Sequence, residues 1–301
     1  MTSSPYSLPP VKPRKAAAAE VDSITRQLQA IEADIAAGRL TDAANMLNVL
    51  GQAYPRDARI YVSGWLLATR ADNTSAALQA AERAVALAPN SATAHYCLAD
   101  SQRRSGDITS ARTSVETALM LMPSNLTYRE LAVDLANNQA DYSVAERHLR
   151  AAFAQNPNIP GIKTMIGNAL RLQSKLDEAE KWLSEGLARN ADDAEAHNGL
   201  AMVAYQRDDQ PTARKHLAEA LRLQPDNKGF QHMDAVLSGR PPEQPPEEMT
   251  RTLFDRYASR FDSHLVTALK YRVPQILAAR ILDLYPDRKL NILDLGCGTG
   301  L

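Results

Sequence analysis

The chain has 301 residues, enough for two ordinary domains or for one elongated array of repeats. Hydrophobic residues make up 45% of it but aromatic residues only 5%, a balance that favours closely packed helices over an aromatic-rich sandwich. The 34 basic and 35 acidic residues nearly cancel, which argues against nucleic acid as a partner, and no apolar run is long enough to span a membrane.

Residues 1–23 form a short basic, proline-rich arm followed by the start of the first helix. The apolar stretch after the arm is only Ala16 to Ala19, so no secretory signal is predicted. We interpret the arm as a disordered tail, with a polyproline ligand or a tether to an anionic surface as the alternatives. Its characteristic residues are Pro5, Pro9, Lys12, Pro10, Pro13, Arg14 and Lys15.

Two columns of residues with a constant spacing define most of the chain. Six alanines follow one another at intervals of 34 residues, and a column of prolines repeats in the same phase, with Ala191 in its one gap. Such a period predicts a stack of equivalent supersecondary units. The alanines are Ala43, Ala77, Ala111, Ala145, Ala179 and Ala213, and the prolines are Pro55, Pro89, Pro123, Pro157 and Pro225.

With the proline at the thirty-second position, six repeats fit residues 24–227 without insertion or deletion. Small residues recur at the eighth, twentieth and twenty-seventh positions, where two helices must approach each other closely. The proline ends the second helix, because it lacks an N–H and disfavours a helical residue before it. The repeats begin at Ile24, Ala58, Ala92, Leu126, Pro160 and Ala194.

The period, the small-residue columns and the late proline resemble the tetratricopeptide repeat. This resemblance implies an all-α fold, a superhelical solenoid of six 34-residue helix-turn-helix repeats. No single repeat buries its apolar face alone, so neighbouring repeats must stack on one another. The oligomeric state does not follow from the pattern.

Members of that family commonly bind their ligands on a concave face, through positions two, five, nine, twelve and thirteen of the first helix. The resemblance therefore implies a protein or peptide partner. Arginine and asparagine at these positions can hydrogen-bond an extended backbone or hold a carboxylate, and a merely solvated groove is the alternative. The corresponding residues are Tyr96, Asp100, Arg103, Arg104, Asp134, Asn137, Asn138, Asn168, Arg171, Asn198 and Tyr205.

Neither the cysteines nor the histidines predict a metal site. Cys97 and Cys297 lie far apart in unrelated contexts, which indicates neither a disulfide nor a zinc site and fits a reducing cytoplasm. None of the six histidines stands at metal-ligand spacing from another histidine or a cysteine. His148 and His216 occupy the same twenty-third position two repeats apart, and we expect both on helix surfaces.

After Asn227 the repeat pattern stops. Residues 228–237 predict a helix that caps the last repeat, and the proline-rich, charged stretch up to residue 248 predicts a semi-rigid linker. Helical spacing returns from Met249. A second helix is predicted over residues 273–284 and a short strand over 289–295.

The predicted strand leads into a glycine-rich turn, in which Gly296, Gly298 and Gly300 follow Asp294 closely. Glycines permit positive φ and let the backbone approach a ligand, and the N-terminus of a following helix offers free N–H groups. The pattern therefore predicts a cofactor loop of the nucleotide-binding type. Cys297 occupies a position that needs a small residue, so we interpret it as a packing residue.

Residues 293–300, Leu-Asp-Leu-Gly-Cys-Gly-Thr-Gly, closely resemble motif I of class I S-adenosylmethionine-dependent methyltransferases. Residues 253–262 are similar to the helix that precedes the Rossmann-like core in that superfamily. Together with the repeats, these segments resemble bacterial methyltransferases that carry tetratricopeptide repeats. The resemblance assigns residues 249–301 to the N-terminal part of such a domain.

The resemblance also implies which residues hold the cofactor, S-adenosylmethionine. Gly296, Gly298 and Gly300 line its methionine and ribose. Asp294 orders the loop and the cofactor's ammonium group, and Tyr257 covers its carboxylate. It assigns no catalytic residue and no methyl acceptor.

In this superfamily the acid that binds the ribose hydroxyls, the adenine-binding segment and the substrate-binding elements all follow the glycine turn. The chain reaches only Leu301, so we expect one strand of an incomplete sheet. We therefore expect the 301-residue chain alone to hold the cofactor poorly and not to catalyse methyl transfer, which would need the completed domain.

Two other functions remain open from the sequence. The first is a non-enzymatic adaptor, in which the repeats bind proteins and residues 249–301 are a vestige of the enzyme. The second is a glycosyltransferase fused to repeats. The acidic Gly-Cys-Gly-Thr-Gly string argues against it, because sugar-nucleotide folds do not carry that string.

Overall fold

The computed structural model describes residues 14–239 and 273–284, and these residues form fourteen α-helices. In chain order they are α1 (Arg14–Ala36), α2 (Leu40–Ala53), α3 (Ala58–Arg70), α4 (Thr74–Leu87), α5 (Ala92–Arg104), α6 (Ile108–Leu121), α7 (Leu126–Asn138), α8 (Tyr142–Gln155), α9 (Ile162–Arg171), α10 (Leu176–Arg189), α11 (Ala194–Gln206), α12 (Gln210–Leu223), α13 (Lys228–Leu237) and α14 (Val273–Leu284). The predicted all-α architecture of consecutive helix-turn-helix repeats is confirmed.

The chain divides into two compact units, residues 1–135 and 136–301. In the first unit, the pairs α1–α2, α3–α4 and α5–α6 pack in succession around aliphatic cores that include Ile31, Leu47 and Leu135. In the second unit, α8 packs on α9, the pairs α9–α10 and α11–α12 follow, and α13 closes the series through Phe230.

The second helices of the repeats begin at a constant interval of 34 residues, from Leu40 to Gln210. The alanine column at the twentieth position is completely buried in all six repeats, and every residue of the twenty-seventh position is buried too. The prediction of close helix packing at these positions is therefore confirmed. A methyl side chain suits them because a larger one would force the helices apart.

Each second helix ends two residues before the thirty-second position, as predicted for the proline. In five of the six turns, a side chain at the fourth position after the turn hydrogen-bonds the backbone carbonyl of that thirty-second residue and closes the turn, whereas the Pro157 carbonyl accepts from Arg189 at 2.8 Å. The residue types differ, so no sequence column reveals this bond. The pairs are Tyr61 with Pro55, His95 with Pro89, Arg129 with Pro123, His197 with Ala191 and Gln231 with Pro225.

The turn inside every repeat places its fifteenth residue in the left-handed region of backbone space. Only two of these six residues are glycine, although that region disfavours residues with a Cβ atom. The six are Gly38, Asp72, Gly106, Ala140, Ser174 and Asp208, with φ between 51° at Ala140 and 86° at Gly106. The turn geometry is thus imposed by the packing of the two helices and not by glycine.

The fifth repeat departs from the others at its start. Its first helix begins at Ile162, two residues after the expected Pro160, and Gly161 precedes it with a φ of 68° and no side-chain cap. Leu183 of its second helix leaves no room for a Cβ atom on two glycines, one in this repeat and one in the sixth. A Cβ atom added to Gly167 would lie 2.6 Å from Leu183 Cγ, and one added to Gly199 would lie 2.7 Å from Leu183 Cδ2.

The ends of the array differ in part from expectation. The first helix begins at Arg14, within the range expected to hold its start, but it includes Arg14 and Lys15, which were counted in the arm. The alanine-rich stretch that follows has high helix propensity. The helix expected over residues 228–237 is present as α13, and the one over residues 273–284 is present as α14. The predicted strand over 289–295 lies outside the described residues.

Candidate functional site

In the first unit, the predicted ligand residue Tyr96 belongs to a row of aromatic rings. Its ring stacks on Tyr128 at 4.9 Å between centroids and meets the edge of Trp65 at 6.0 Å. The Tyr128 hydroxyl lies 3.1 Å from Thr93 Oγ1. Tyr96 is half-buried, and burial together with the nearby Asp100 carboxylate raises the pKa of its phenol. Most of Tyr96 is therefore engaged in packing.

Arg103 and Arg104 both bind one carboxylate of their own helix. Asp100 is only 6% exposed, and its two oxygens accept hydrogen bonds of 2.7 Å from Arg103 Nη2 and Arg104 Nε. The burial of Asp100 is tolerated because both oxygens are satisfied by charged donors. The three predicted residues thus form one cluster, in which each arginine already donates one hydrogen bond to the shared carboxylate.

The fourth repeat contributes polar side chains near the end of α7. Asp134 is exposed in the first unit, and Asn137 and Asn138 are partly exposed in the second. Their role in binding a ligand stays a prediction.

In the second unit, Asn168 and Arg171 on α9 and Asn198 and Tyr205 on α11 are all at least partly exposed. The helices α9 and α11 are in contact, so these four side chains lie on neighbouring elements. We call this set, together with the exposed Met165 of α9 and Leu172 directly after α9, the α9–α11 face; both of these apolar side chains are 44% exposed.

Arg171 differs from Arg103 in having no carboxylate partner among the described residues. Its Nε atom is shielded from solvent and makes no hydrogen bond, a property that Arg103 Nε shares, so in hydrogen bonding the two arginines differ in the carboxylate partner alone. Burial disfavours the charged guanidinium and lowers its pKa, although Tyr142 acts in the opposite direction. Arg171 is therefore a partly desolvated cation that lacks an opposite charge in the described part of the chain, and it is the group on this face that a ligand carboxylate would stabilise most.

The first two repeats hold a cavity that the sequence analysis missed. Its volume is about 400 Å³, and it opens beside α1 and α3. Leu28 and Val62 give it an apolar wall, while Glu32 and Arg59 give it charge. These four residues occupy positions two, five and nine of their repeats, so the positional rule applied to the first two repeats would have found them.

The histidines also differ from expectation. His148 is 3% exposed, so the prediction of a surface position is wrong; its ring is covered where α8 packs into the second unit. His216 is half-buried, and its Nδ1 atom lies 3.2 Å from Nδ1 of His197. Burial, His197 and Lys215 together lower the pKa of His216, against the opposing effect of Glu180. Linear spacing could not reveal this pair.

Cys97 is the cysteine within the described residues. It is completely buried, and burial followed by the Asp100 charge raises the pKa of its thiol to about 12. Such a thiol is inert at neutral pH, in line with a packing role.

The residues implied by the methyltransferase resemblance, namely Tyr257, Asp294, Gly296, Gly298 and Gly300, lie outside the described residues, as does Cys297. Within residues 14–239 and 273–284, no group of three or more His, Cys, Asp or Glu side chains is placed to hold a metal ion. No helix of these ranges is long and apolar enough to cross a membrane.

Comparison with known proteins agrees with the repeat architecture. A tetratricopeptide repeat family model matches residues 66–123, 131–189 and 164–228, which together cover more than half of the chain. No curated protein sequence is significantly similar to the chain.

Several solved structures share the fold. YrrB, described as a TPR protein with an unusual peptide-binding site, is 20% identical, with a TM-score of 0.56 over 62% of this chain and 96% of its own. PilF of Pseudomonas aeruginosa is 14% identical, with a TM-score of 0.56 over 70% and 96%. MamA of Desulfovibrio magneticus RS-1, from residue 41 to its end, is 18% identical, with a TM-score of 0.51 over 56% and 96%.

Proposed function

The chain belongs to the tetratricopeptide repeat family, and from that premise we propose that it binds a peptide segment of a protein partner on the α9–α11 face. The partner segment is extended and carries a carboxylate next to apolar side chains. The carboxylate pairs with Arg171, and the apolar side chains pack on Met165 and Leu172.

The observation that carries this proposal is the uncompensated guanidinium of Arg171. Holding a partly buried charge without a partner costs free energy, and a ligand carboxylate removes that cost when it binds. The planar guanidinium matches a carboxylate in two-point geometry, and arginine is frequent among the residues that dominate binding energy.

The neighbouring amides supply the rest of the recognition. Asn168 and Asn198 each offer a donor and an acceptor, which suits the N–H and C=O groups of an extended backbone. Tyr205 is exposed at the end of α11 and presents a large amphipathic ring. The face therefore combines a charge anchor, backbone partners and apolar contact area.

Binding of a peptide library by the full chain tests this proposal. Peptides with an acidic side chain beside apolar residues should bind, and their amide counterparts should bind about tenfold more weakly. A second series with a free or an amidated C-terminus separates a side-chain carboxylate from a terminal one. Arg171→Gln should abolish the difference between acid and amide.

The matched control is Arg103→Gln at the same repeat position, where the guanidinium is already paired with Asp100. It should leave the discrimination between acid and amide unchanged. If Arg171→Gln binds acidic peptides as tightly as the unaltered chain does, the α9–α11 face is not the carboxylate site.

A second function is supported by the glycine-rich string of residues 293–300. We infer that residues 249–301 contribute the cofactor loop of a class I methyltransferase that uses S-adenosylmethionine, so that the repeats dock a protein while the enzyme domain methylates it or another acceptor. The helix observed at Val273–Leu284 fits the helical segment expected before the first strand.

Equilibrium binding of S-adenosylmethionine to the native protein isolated from its source cells tests the enzyme function. Binding that is lost in Asp294→Ala and kept in the control Arg171→Gln supports it. A native protein that binds no cofactor but retains its peptide ligand is instead a non-enzymatic adaptor.

A further inference from the structure

Two histidines of the last repeat meet side by side in the second unit. His197 lies on α11 and His216 on α12, at the fourth and twenty-third positions of the repeat. Their Nδ1 atoms are 3.2 Å apart, and their ring centroids are 5.4 Å apart with the planes tilted by 39°. The pair lies outside the α9–α11 face and takes no part in the function proposed above.

The hydrogen bonds of the pair fix its tautomers. His197 Nε2 lies 3.3 Å from the carbonyl oxygen of Ala191, which can only accept, so Nε2 carries the proton. Nδ1 of His197 is then an unprotonated acceptor, and Nδ1 of His216 donates to it. The lone pair of His197 Nδ1 therefore points toward the ring of its neighbour.

We propose that His197 and His216 bind a divalent transition-metal ion of the zinc type between their two Nδ1 atoms. Metal–imidazole bonds are about 2.0–2.1 Å long, so two nitrogens on one ion lie about 2.9 Å apart at a right angle and about 3.4 Å apart at the tetrahedral angle. The observed 3.2 Å falls between these values. The ion replaces the proton that the two Nδ1 atoms share.

The surroundings of His197 match those of a ligand in metal proteins. A metal-bound histidine donates its other ring N–H to a carboxylate or a backbone carbonyl, which fixes its tautomer and orientation. The Ala191 carbonyl does this for His197 before any ion arrives. This bond belongs to the turn-closing series of the repeats, so the ring is held by the fold.

The charges around the pair are of both signs and do not by themselves attract a cation. Glu180 of α10 acts on His216, and Glu219 of α12 is close enough to feel His197, while Lys215 opposes them. Both carboxylates are already paired, Glu180 with Arg207 and Glu219 with Arg222. No third ligand residue stands ready in the described part of the chain, so water completes the coordination.

The choice of ion follows from the ligands. Neutral imidazole suits zinc, copper and nickel, and it does not suit the oxygen-preferring magnesium and calcium. An ion held by both rings links the two helices of the sixth repeat. Since the unfolded chain keeps the two histidines apart, bound metal stabilises the folded state.

Calorimetric titration of the full chain with ZnCl₂, in a buffer that does not chelate, tests the proposal. The unaltered chain should bind one zinc ion that is lost, or weakened by about tenfold or more, in both His197→Gln and His216→Gln. Circular dichroism confirms that the two variants are folded. Titration with MgCl₂ should give no heat at this site.

His95 provides the matched control, because it occupies the same fourth position and bonds the Pro89 carbonyl but has no histidine beside it. His95→Gln should bind zinc as the unaltered chain does. The ¹⁵N imidazole spectrum should show zinc on the Nδ1 atoms of His197 and His216. The proposal fails if the chain binds no zinc, or if either histidine variant keeps the full affinity.

Discussion

The third and fifth repeats carry an arginine at the same position, but only the arginine of the third repeat has a carboxylate partner among the described residues. Arg103 and Arg171 both stand at the twelfth position, on α5 and α9. Three residues earlier, the third repeat has Asp100 and the fifth has Asn168. Asp100 neutralises Arg103 within the helix, whereas Arg171 finds no carboxylate among the described residues. One carboxylate exchanged for an amide separates the two situations.

The difference shows that some charged side chains of a repeat array are paired within the array, whereas others are left to pair with a ligand. A charge that is paired inside the repeat adds to the free energy of unfolding and contributes little to ligand binding. A charge left without a partner weakens the free protein slightly and becomes useful only when a ligand supplies the missing group. The same backbone position thus serves structure in one repeat and recognition in another.

The largest expected effect comes from the most completely compensated charge, Glu146. Its buried carboxylate accepts hydrogen bonds from Arg150 at 2.6 Å, Gln173 at 2.9 Å and Lys175 at 3.1 Å. Glu146→Ala should lower the free energy of unfolding by about 3 kcal/mol, because three donors lose their acceptor. Urea denaturation measures this. A control at the exposed Glu178, whose one partner within the described part of the chain is Arg150, should lose far less.

The same carboxylate sets a pH dependence. Burial opposes the charged form of Glu146, but the hydrogen bonds from Arg150, Gln173 and Lys175 outweigh it and hold the pKa below its usual value. Stability from this group is present above the unfolded pKa of about 4.3 and is lost as the pH falls through the lower folded value. Glu146→Gln should make the free energy of unfolding depend less steeply on pH in that acid range. An unchanged pH dependence would mean that the ionised Glu146 carboxylate contributes nothing to stability.

A reciprocal swap tests the comparison between the third and fifth repeats directly. Asp100→Asn should destabilise the chain by about 2 kcal/mol, since two arginines lose charged partners on a buried group. Asn168→Asp should instead give Arg171 an internal partner, raise stability by at most about 0.5 kcal/mol, and weaken binding of acidic peptides about tenfold.

Denaturation and peptide titration of both variants measure the swap. If Asn168→Asp leaves peptide affinity unchanged, Arg171 does not depend on an unpaired charge for binding. If Asp100→Asn leaves the free energy of unfolding unchanged, the hydrogen bonds of Asp100 to Arg103 and Arg104 do not stabilise the fold.

The smallest expected effect concerns the turn that follows α7. Ala140 holds a φ of 51°, whereas the equivalent Gly106 of the third repeat holds 86° without strain. Ala140→Gly should raise the free energy of unfolding by about 0.5–1 kcal/mol, because glycine removes the Cβ clash. Gly106→Ala is the matched opposite and should lower the stability by a similar amount. Thermal denaturation distinguishes the two signs.

Much of the fold was predictable from the sequence, because the same columns of small residues and prolines recur through the six repeats. The column of small residues at the twentieth position requires close helix packing, and all six alanines are fully buried. The proline column marks the ends of the second helices correctly. The late start of α9 was not predictable from the period, because Gly161 and its uncapped turn are peculiar to one repeat.

The candidate site was predictable only as a set of positions. The positional rule selected Asp100, Arg103 and Arg171 alike, and it did not state that Asp100 accepts a hydrogen bond from Arg103 while Arg171 has no such partner among the described residues. It also could not distinguish the packed ring of Tyr96 from the exposed ring of Tyr205, since the partners of Tyr96 come from the neighbouring repeats. The cofactor residues implied by resemblance stay a prediction.

The sequence by itself determined the architecture of this protein, because a period of 34 residues can be read along the chain without knowing any contact. Only the tertiary structure decided which charges are compensated, which histidine is buried and which two meet. Some of the compensating pairs are local, such as Asp100 with Arg103, but the bonds of Glu146 to Gln173 and Lys175 and the histidine pair join side chains that are far apart along the chain. His197 and His216 adjoin only because two antiparallel helices pack with their fourth and twenty-third positions together.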